Sequence, residues 1–348
     1  MKKNIVRVNI IACLMLSLVG CNSQKELGAY KQGVEFIKEE NYTSALASFQ
    51  EAEKVEKNLR NVYRGEGLAY LGMGQYDNAL SSFKMALSES NGIVKNIDYD
   101  INFYMAVAEY KLGNLSDAID TYTAILAVDK SNAEAYYMRG KVKLDLGDID
   151  GAKEDYDQAV LLNKDDSRLY INIYNDLYNN GYENDAKVYV NTGLTSISRP
   201  SQYELGIFNY YLGDYTQARN YFEESSETKK TEEGIIYLGK TYEALDDSDY
   251  AVALFEEYTN NNKTAAMVYN ELGLLKANRK DYEGAAAAFE AGIAGEGTSC
   301  RQPLFYNRIV AYEFAGDFSK AKSLMQDYLN MYPEDKSALR ENVFLKTR

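Results

Sequence analysis

The sequence predicts an all-α fold built from repeated units. Only 3 of the 348 residues are proline, so helices can run between short connections without the breaks that proline imposes. Similar segments recur about every 34 residues along most of the chain, a period typical of repeat proteins. Within the segments a small residue and an aromatic residue keep fixed positions, as expected when every copy packs in the same way.

The period is measured from one alanine in each segment, and successive alanines are 34, 39, 34, 34, 32, 33, 34 and 36 residues apart. Because these alanines define the alignment, other positions provide the test. Four residues later, seven of nine positions are aromatic, where the 13% aromatic content predicts about one. Twelve residues earlier, seven of nine are Gly or Ala. The nine alanines are Ala45, Ala79, Ala118, Ala152, Ala186, Ala218, Ala251, Ala285 and Ala321.

These positions resemble the tetratricopeptide repeat, a helix–turn–helix unit of 34 residues. In one copy the family pattern is carried by Tyr136, Gly140, Gly147, Ala152 and Tyr156. The resemblance covers residues 26–335 and implies a right-handed superhelical solenoid of about nine repeats. The predicted repeats span about 26–59, 60–98, 99–132, 133–166, 167–198, 199–231, 232–265, 266–301 and 302–335, followed by a C-terminal capping helix in 336–348.

Steric and capping rules explain the recurring residues. A glycine on the first helix of a pair, such as Gly67 or Gly140, lets the second helix approach closely, and the aromatic residue then fills the space between neighbouring repeats. Glycines between the two helices suit the left-handed residue that ends a helix, and the residue after each can cap the next helix. The predicted pairs of glycine and cap are Gly113 with Asn114, Gly147 with Asp148, and Gly213 with Asp214.

The first 25 residues resemble the start of a bacterial lipoprotein. Basic residues precede an apolar stretch, Val8–Val19, which is too short to span a bilayer. The stretch ends in Leu-Val-Gly before Cys21, similar to a lipobox. The resemblance implies a signal peptide at 1–20, a lipid on Cys21 and a polar stalk at 21–25. The alternative is an ordinary signal peptide with a chance cysteine.

Composition argues against several classes of function. The chain has no histidine, which excludes Ser-His-Asp and Cys-His catalysis and any His-ligated metal. The formal net charge of −14 disfavours nucleic acid as a partner, although the charge is equally consistent with a role in solubility alone. We expect Cys300 to be a packed or loop thiol rather than a reactive one. No enzyme activity, cofactor or metal is predicted.

The resemblance also implies a binding groove, because first helices line the concave surface in this family. Tyrosine offers a broad apolar face and a hydroxyl, which suits recognition, and the basic side chains could meet carboxylates of a partner. The alternative is composition, since the chain contains 32 tyrosines and some pack laterally. The predicted groove residues are Phe103, Tyr110, Tyr137, Lys141, Arg168, Asn175, Tyr178, Tyr203, Ile207, Tyr210 and Lys240.

Together these features predict a lipid-anchored, extracytoplasmic scaffold at the bacterial cell membrane or outer membrane, which binds a protein or peptide in its groove. Two alternatives stay open: a glycan-binding surface lipoprotein and a structural subunit of an envelope assembly complex. Two longer repeats place extra residues around 88–98 and 292–302, where either a tolerated loop or a functional insertion would fit.

Overall fold

The computed structural model describes residues 28–90, 92, 95–225, 228–295, 300–333 and 335–348. These residues form nineteen α-helices, and the described ranges contain no β-strand. Consecutive helices pack as hairpins, and within each of two parts of the chain successive hairpins pack on one another. The predicted all-α solenoid fold is therefore confirmed, while the boundaries of the individual repeats stay predictions.

The described chain divides into two compact units at residues 198 and 199. We call residues 28–198 the N-terminal unit and residues 199–348 the C-terminal unit. The division falls where the periodicity ends its fifth segment, in the connection that contains Pro200. Each unit is described below by itself.

The N-terminal unit contains five hairpins. In each of them the odd-numbered helix is the first helix and the even-numbered helix is the second. The helices are α1 (Ala29–Lys38), α2 (Tyr42–Glu53), α3 (Leu59–Gly72), α4 (Tyr76–Ser88), α5 (Asn96–Lys111), α6 (Leu115–Val128), α7 (Ala133–Leu146), α8 (Ile149–Leu162), α9 (Ser167–Asn179) and α10 (Glu183–Ser196).

The C-terminal unit contains four hairpins with the same order of first and second helices, followed by one more helix. They are α11 (Gln202–Leu212), α12 (Tyr215–Glu224), α13 (Glu232–Ala244), α14 (Ser248–Asn261), α15 (Ala266–Asn278), α16 (Tyr282–Ala294), α17 (Arg301–Ala315), α18 (Phe318–Met331) and α19 (Lys336–Leu345). Helix α19 buries Ala338 and Leu345 against the cluster around Met325 and Tyr328.

Close glycine–aromatic contacts hold the two helices of a hairpin together. A Cβ atom on Gly67 would lie 2.4 Å from the Phe83 ring, and one on Gly140 would lie 2.9 Å from the Tyr156 ring. Both distances are shorter than packed carbon atoms allow. The two rings are fully buried, so the predicted role of these glycines is confirmed.

Two of the three predicted caps are confirmed. Gly147 has φ 89° in the left-handed region, and the Asp148 side chain accepts a hydrogen bond from the Gly151 backbone N–H at 3.0 Å. The Asp214 side chain caps α12 in the same way. Asn114 differs from the prediction because its side chain makes no capping hydrogen bond.

Among the described residues, no helix is both long enough and apolar enough to cross a bilayer.

Candidate functional site

First helices of successive hairpins contact one another within each unit. The contacts join α1 to α3, α3 to α5 and α7 to α9 in the N-terminal unit, and α11 to α13, α13 to α15 and α15 to α17 in the C-terminal unit. We call the surface of the odd-numbered helices α3–α9 the N-terminal face and that of α11–α17 the C-terminal face. These faces are where the predicted groove residues lie.

Side-chain bonds between consecutive first helices cross the N-terminal face. The Tyr110 hydroxyl on α5 donates to the Asp145 carboxylate on α7 at 2.5 Å. The Tyr137 hydroxyl on α7 donates to Asp176 on α9 at 2.8 Å, and the Lys141 ammonium is paired with the same carboxylate. Burial raises the pKa of Asp176, and the charge of Lys141 opposes that rise.

Two arginines extend this arrangement toward the start of the unit. Arg64 on α3 pairs with Asp100 on α5, and Arg60 pairs with Asp98; both arginines are buried. Burial raises the pKa of the neighbouring Tyr104 to about 12, with a smaller contribution from Asp100. Buried charges without partners are costly, so these pairs hold α3 and α5 in register.

The C-terminal face uses different bonds. The Lys240 ammonium on α13 lies 3.2 Å from the Glu271 carboxylate on α15. Further along, the Asn307 side-chain amide on α17 donates to the Asn270 side-chain oxygen on α15 at 3.0 Å, and both residues are buried. One ion pair and one neutral amide pair therefore connect three first helices.

The predicted groove residues of the N-terminal unit differ in how much surface they offer. Phe103 is buried, with its ring edge-on to Tyr122 at 5.6 Å between centroids, so it contributes packing rather than open surface. Tyr178 is 49% exposed and stacks on Tyr174 with centroids 5.5 Å apart and planes 12° apart. Arg168 is exposed in the first turn of α9.

The remaining predicted residues are half-buried or packed. Asn175 on α9 is half-buried. In the C-terminal unit, Tyr203 packs against Phe222 at 5.9 Å, and Ile207 is buried. Tyr210 is half-buried with its ring edge-on to three tyrosines. Those three are Tyr211, Tyr215 and Tyr237.

The sequence prediction missed the acidic partners. Lys141 and Lys240 were expected to meet carboxylates of a partner, but Asp176 and Glu271 of the same chain pair with them. The sequence contains a signal for this pairing. A cation and an acid lie about one repeat apart, as in the 35 residues from Lys141 to Asp176. The predicted stripe is also divided, because its first seven residues belong to one unit and the last four to the other.

Family comparison bears on the first part of the chain. Three models, each described as the tetratricopeptide repeat, match residues 30–92, 70–142 and 133–166. Residues 30–166 are therefore similar to tetratricopeptide repeats. Helices α3, α5 and α7 of the N-terminal face lie within the matched residues.

Curated relatives are similar at low identity. Protein CTR9 homolog of Arabidopsis thaliana is 22% identical over 320 residues, which cover 86% of this chain and 28% of that protein. DnaJ homolog subfamily C member 7 homolog of Dictyostelium discoideum is 26% identical over 172 residues, covering 46% of this chain and 32% of that protein. The chain spans about a third or less of the length of these relatives.

Solved structures share the fold. Yeast Tom70 aligns with a TM-score of 0.52 at 15% identity, covering 92% of this chain and 88% of that one. A tetratricopeptide repeat protein from Parabacteroides merdae aligns with a TM-score of 0.46 at 18% identity, covering 81% of this chain and 97% of that one.

Two cysteines, Cys21 and Cys300, are the remaining residues on which the sequence analysis made a prediction. Cys21 lies outside the described residues. Cys300 is half-buried at the start of α17, where burial, and then the nearby Glu271 and Glu232, raise the pKa of its thiol to about 11. A thiol with a raised pKa is a weak nucleophile at neutral pH. In the part of the chain that the structure covers, no group of three or more acidic or cysteine residues is placed to hold a metal ion.

Proposed function

We propose that this chain is a scaffold that binds a segment of a partner protein on the N-terminal face. The observation that carries the proposal is the set of connected first helices, which present half-exposed tyrosines on a rigid support. Tetratricopeptide repeats across residues 30–166 agree with it, because proteins with this repeat are generally interaction scaffolds rather than enzymes.

Tyr178 is the exposed anchor of this proposed surface. Its ring is held by the parallel stack on Tyr174, so little side-chain freedom remains to be lost when a partner covers it. Rigid tyrosines of this kind often dominate the energy of protein interfaces.

The test is partner capture by cross-linking in the cell that makes the protein. Tyr178→Ala should lower the captured amount by about fivefold, the effect of losing about 1 kcal/mol at an interface. Tyr250→Ala is the matched control, because Tyr250 is also 49% exposed and also packs on a tyrosine, Tyr242, but lies on second helix α14. Equal capture by both variants and the wild type would contradict the proposed surface.

We further propose that a lipid on Cys21 holds the scaffold at the extracytoplasmic side of the bacterial membrane. The support is the order of basic, apolar and small residues before Cys21. Cys21→Ser should abolish labelling by a fatty acid, whereas Cys300→Ser should leave it unchanged. A labelled Cys21→Ser protein would refute the anchor and leave the scaffold proposal untouched.

A further inference from the structure

Two buried tyrosine hydroxyls break the pattern of the repeat. The aromatic position of the second helix is phenylalanine in five segments but tyrosine in two consecutive ones, Tyr122 on α6 and Tyr156 on α8. Both side chains are 0% exposed, and neither hydroxyl has a hydrogen-bond partner among the described residues. Burying an unsatisfied hydroxyl costs about 1–3 kcal/mol, so packing alone would favour phenylalanine at both positions.

The hydroxyl of Tyr156 lies beneath the N-terminal face. Its ring touches the backbone of α7 at Gly140 and lies 5.9 Å from the Tyr137 ring. Burial is the main cause that raises the pKa of this hydroxyl. The Asp176 carboxylate is the next largest cause, followed by Tyr137 and Asp145. These are the groups that form the bonds between α5, α7 and α9.

The hydroxyl of Tyr122 lies beside the same region. Burial and the charges of Glu134 and Glu109 raise its pKa, with a smaller influence from Tyr110. Tyr110 and Tyr122 belong to one packed cluster between α5 and α6. Each unpartnered hydroxyl therefore belongs to a tyrosine that neighbours a donor of the face: Tyr122 neighbours Tyr110, and Tyr156 neighbours Tyr137.

The charges around the two hydroxyls do not balance. Glu109, Glu134, Asp145 and Asp176 contribute four carboxylates, and Lys141 is the cation paired with Asp176. Asp145 receives its hydrogen bond from a neutral phenol, and the residue is exposed on the face. Burial raises the pKa of both Glu134 and Asp176, so an added cation nearby would stabilise the charged form of either carboxylate.

We propose that this region of the N-terminal face binds lysine or arginine side chains of the partner protein. The incoming cations replace the Tyr110 and Tyr137 hydroxyls as donors to Asp145 and Asp176. Rotation of those two tyrosines then opens the buried hydroxyl beside each of them as an acceptor for a cation of the segment. The inference rests on the proposed scaffold function and adds the chemistry of the partner: a basic, extended segment.

The experiment measures binding of a fluorescent peptide of twelve residues, with alternating lysine and serine, to the full chain. A peptide with glutamate in place of lysine is the ligand control. Asp145→Asn with Asp176→Asn should weaken lysine-peptide binding by about tenfold or more, and Tyr122→Phe with Tyr156→Phe by about tenfold, as expected for bonds to a charged group. Raising the salt concentration should weaken binding further.

Matched variants are needed because the whole chain is acidic and attracts any basic peptide. The Tyr312 hydroxyl on α17 donates to Glu290 on α16 at 3.0 Å, so Tyr312→Phe with Glu290→Gln removes a bond of the same kind in the C-terminal unit. This double variant should bind the lysine peptide as the wild type does. An equal loss in both sets would show that general charge, not this region, attracts the peptide.

Stability measurements separate a binding role from simple burial. The two tyrosine-to-phenylalanine changes should not lower the midpoint of urea unfolding, because phenylalanine occupies this position in five other segments. Unchanged peptide binding by these variants would overturn the proposal. So would displacement of the peptide by spermidine at equal charge, which would indicate a free polyamine. Partner capture that depends on Tyr178 but not on the buried pair would leave the scaffold function standing and reject the basic segment.

Discussion

Hairpins α7–α8 and α13–α14 fill the same two repeat positions with different chemistry. In the first, the buried Asp155 accepts two hydrogen bonds from Arg139, at 2.8 and 2.6 Å, and an ion pair from Lys143 at 2.8 Å. In the second, the equivalent positions hold Leu238 and Leu254, and Leu238 is 2% exposed. The repeat therefore determines where two side chains meet but not whether they are charged.

The same contrast separates the two faces. Ion pairs and tyrosine–carboxylate bonds join the first helices of the N-terminal unit. In the C-terminal unit an ion pair, Lys240 with Glu271, joins α13 and α15, but a buried neutral amide pair, Asn270 with Asn307, joins α15 and α17. Charge between the helices makes a unit sensitive to pH and to loss of one partner, whereas neutral contacts do not.

Removing one half of the buried ion pair gives the largest expected effect. Arg139→Leu leaves the Asp155 carboxylate buried with Lys143 as its remaining cation, and should lower the free energy of unfolding by about 3 kcal/mol. Adding Asp155→Leu recreates the leucine pair of α13–α14 and should restore stability to within about 1 kcal/mol of the wild type. Urea unfolding of both variants tests this. A double variant as unstable as the single one would show that the two hairpins are not equivalent.

Glu66 provides the corresponding test by pH. It occupies the position of Arg139 and Leu238 in its own repeat, and burial together with the charge of Glu53 raises its pKa to about 7. Because the folded state binds this proton more tightly than the unfolded state, stability should fall as pH rises from about 4.5 to about 7. Glu66→Gln removes this contribution and should add about 2 kcal/mol to the unfolding free energy at pH 8.

The control for Glu66 is the same substitution at an exposed glutamate, Glu51→Gln. It should leave the difference in stability between pH 5 and pH 8 unchanged. If wild type and Glu66→Gln show the same pH dependence, then Glu66 is not buried against Glu53 in solution.

Helix caps give the smallest expected difference between the units. At the start of α11, the Ser201 hydroxyl accepts from the Glu204 N–H at 3.2 Å, and the Glu204 carboxylate accepts from the Ser201 N–H at 2.8 Å. Ser201→Ala should therefore cost about 1 kcal/mol. Asn114→Ala at the start of α6 removes no capping bond and should change the unfolding free energy by only a few tenths of a kcal/mol. Similar losses for both would mean that Asn114 caps its helix in solution.

The fold could be predicted because its determinants recur in register. Gly67 with Phe83 and Gly140 with Tyr156 occupy the same two positions of the repeat, so nine copies reinforce one pattern. Sequence periodicity did not indicate the division at residue 198, because the alanine spacing across it, 32 residues, is close to that of the other segments.

The bonds across the face could not be predicted in the same way. Asp100, Asp145 and Asp176 lie 18, 7 and 10 residues before the alanines of their repeats, so no single position of the repeat contains the acids. The family resemblance predicts the donors Tyr110, Tyr137 and Lys141 as groove residues but does not predict Arg64. The partners of these side chains depend on the rotation between neighbouring helices. That rotation is a property of the three-dimensional packing.

The bonds between first helices of the N-terminal unit have a consistent direction. Helix α5 carries the acceptor Asp100 for the helix before it and the donor Tyr110 for the helix after it, and α7 likewise carries Asp145 and Lys141. A hairpin copied to another place in the array would bring an acceptor without its donor. Gene duplication or exchange of single hairpins should therefore be disfavoured in this unit, and its modules can change only together with their neighbours.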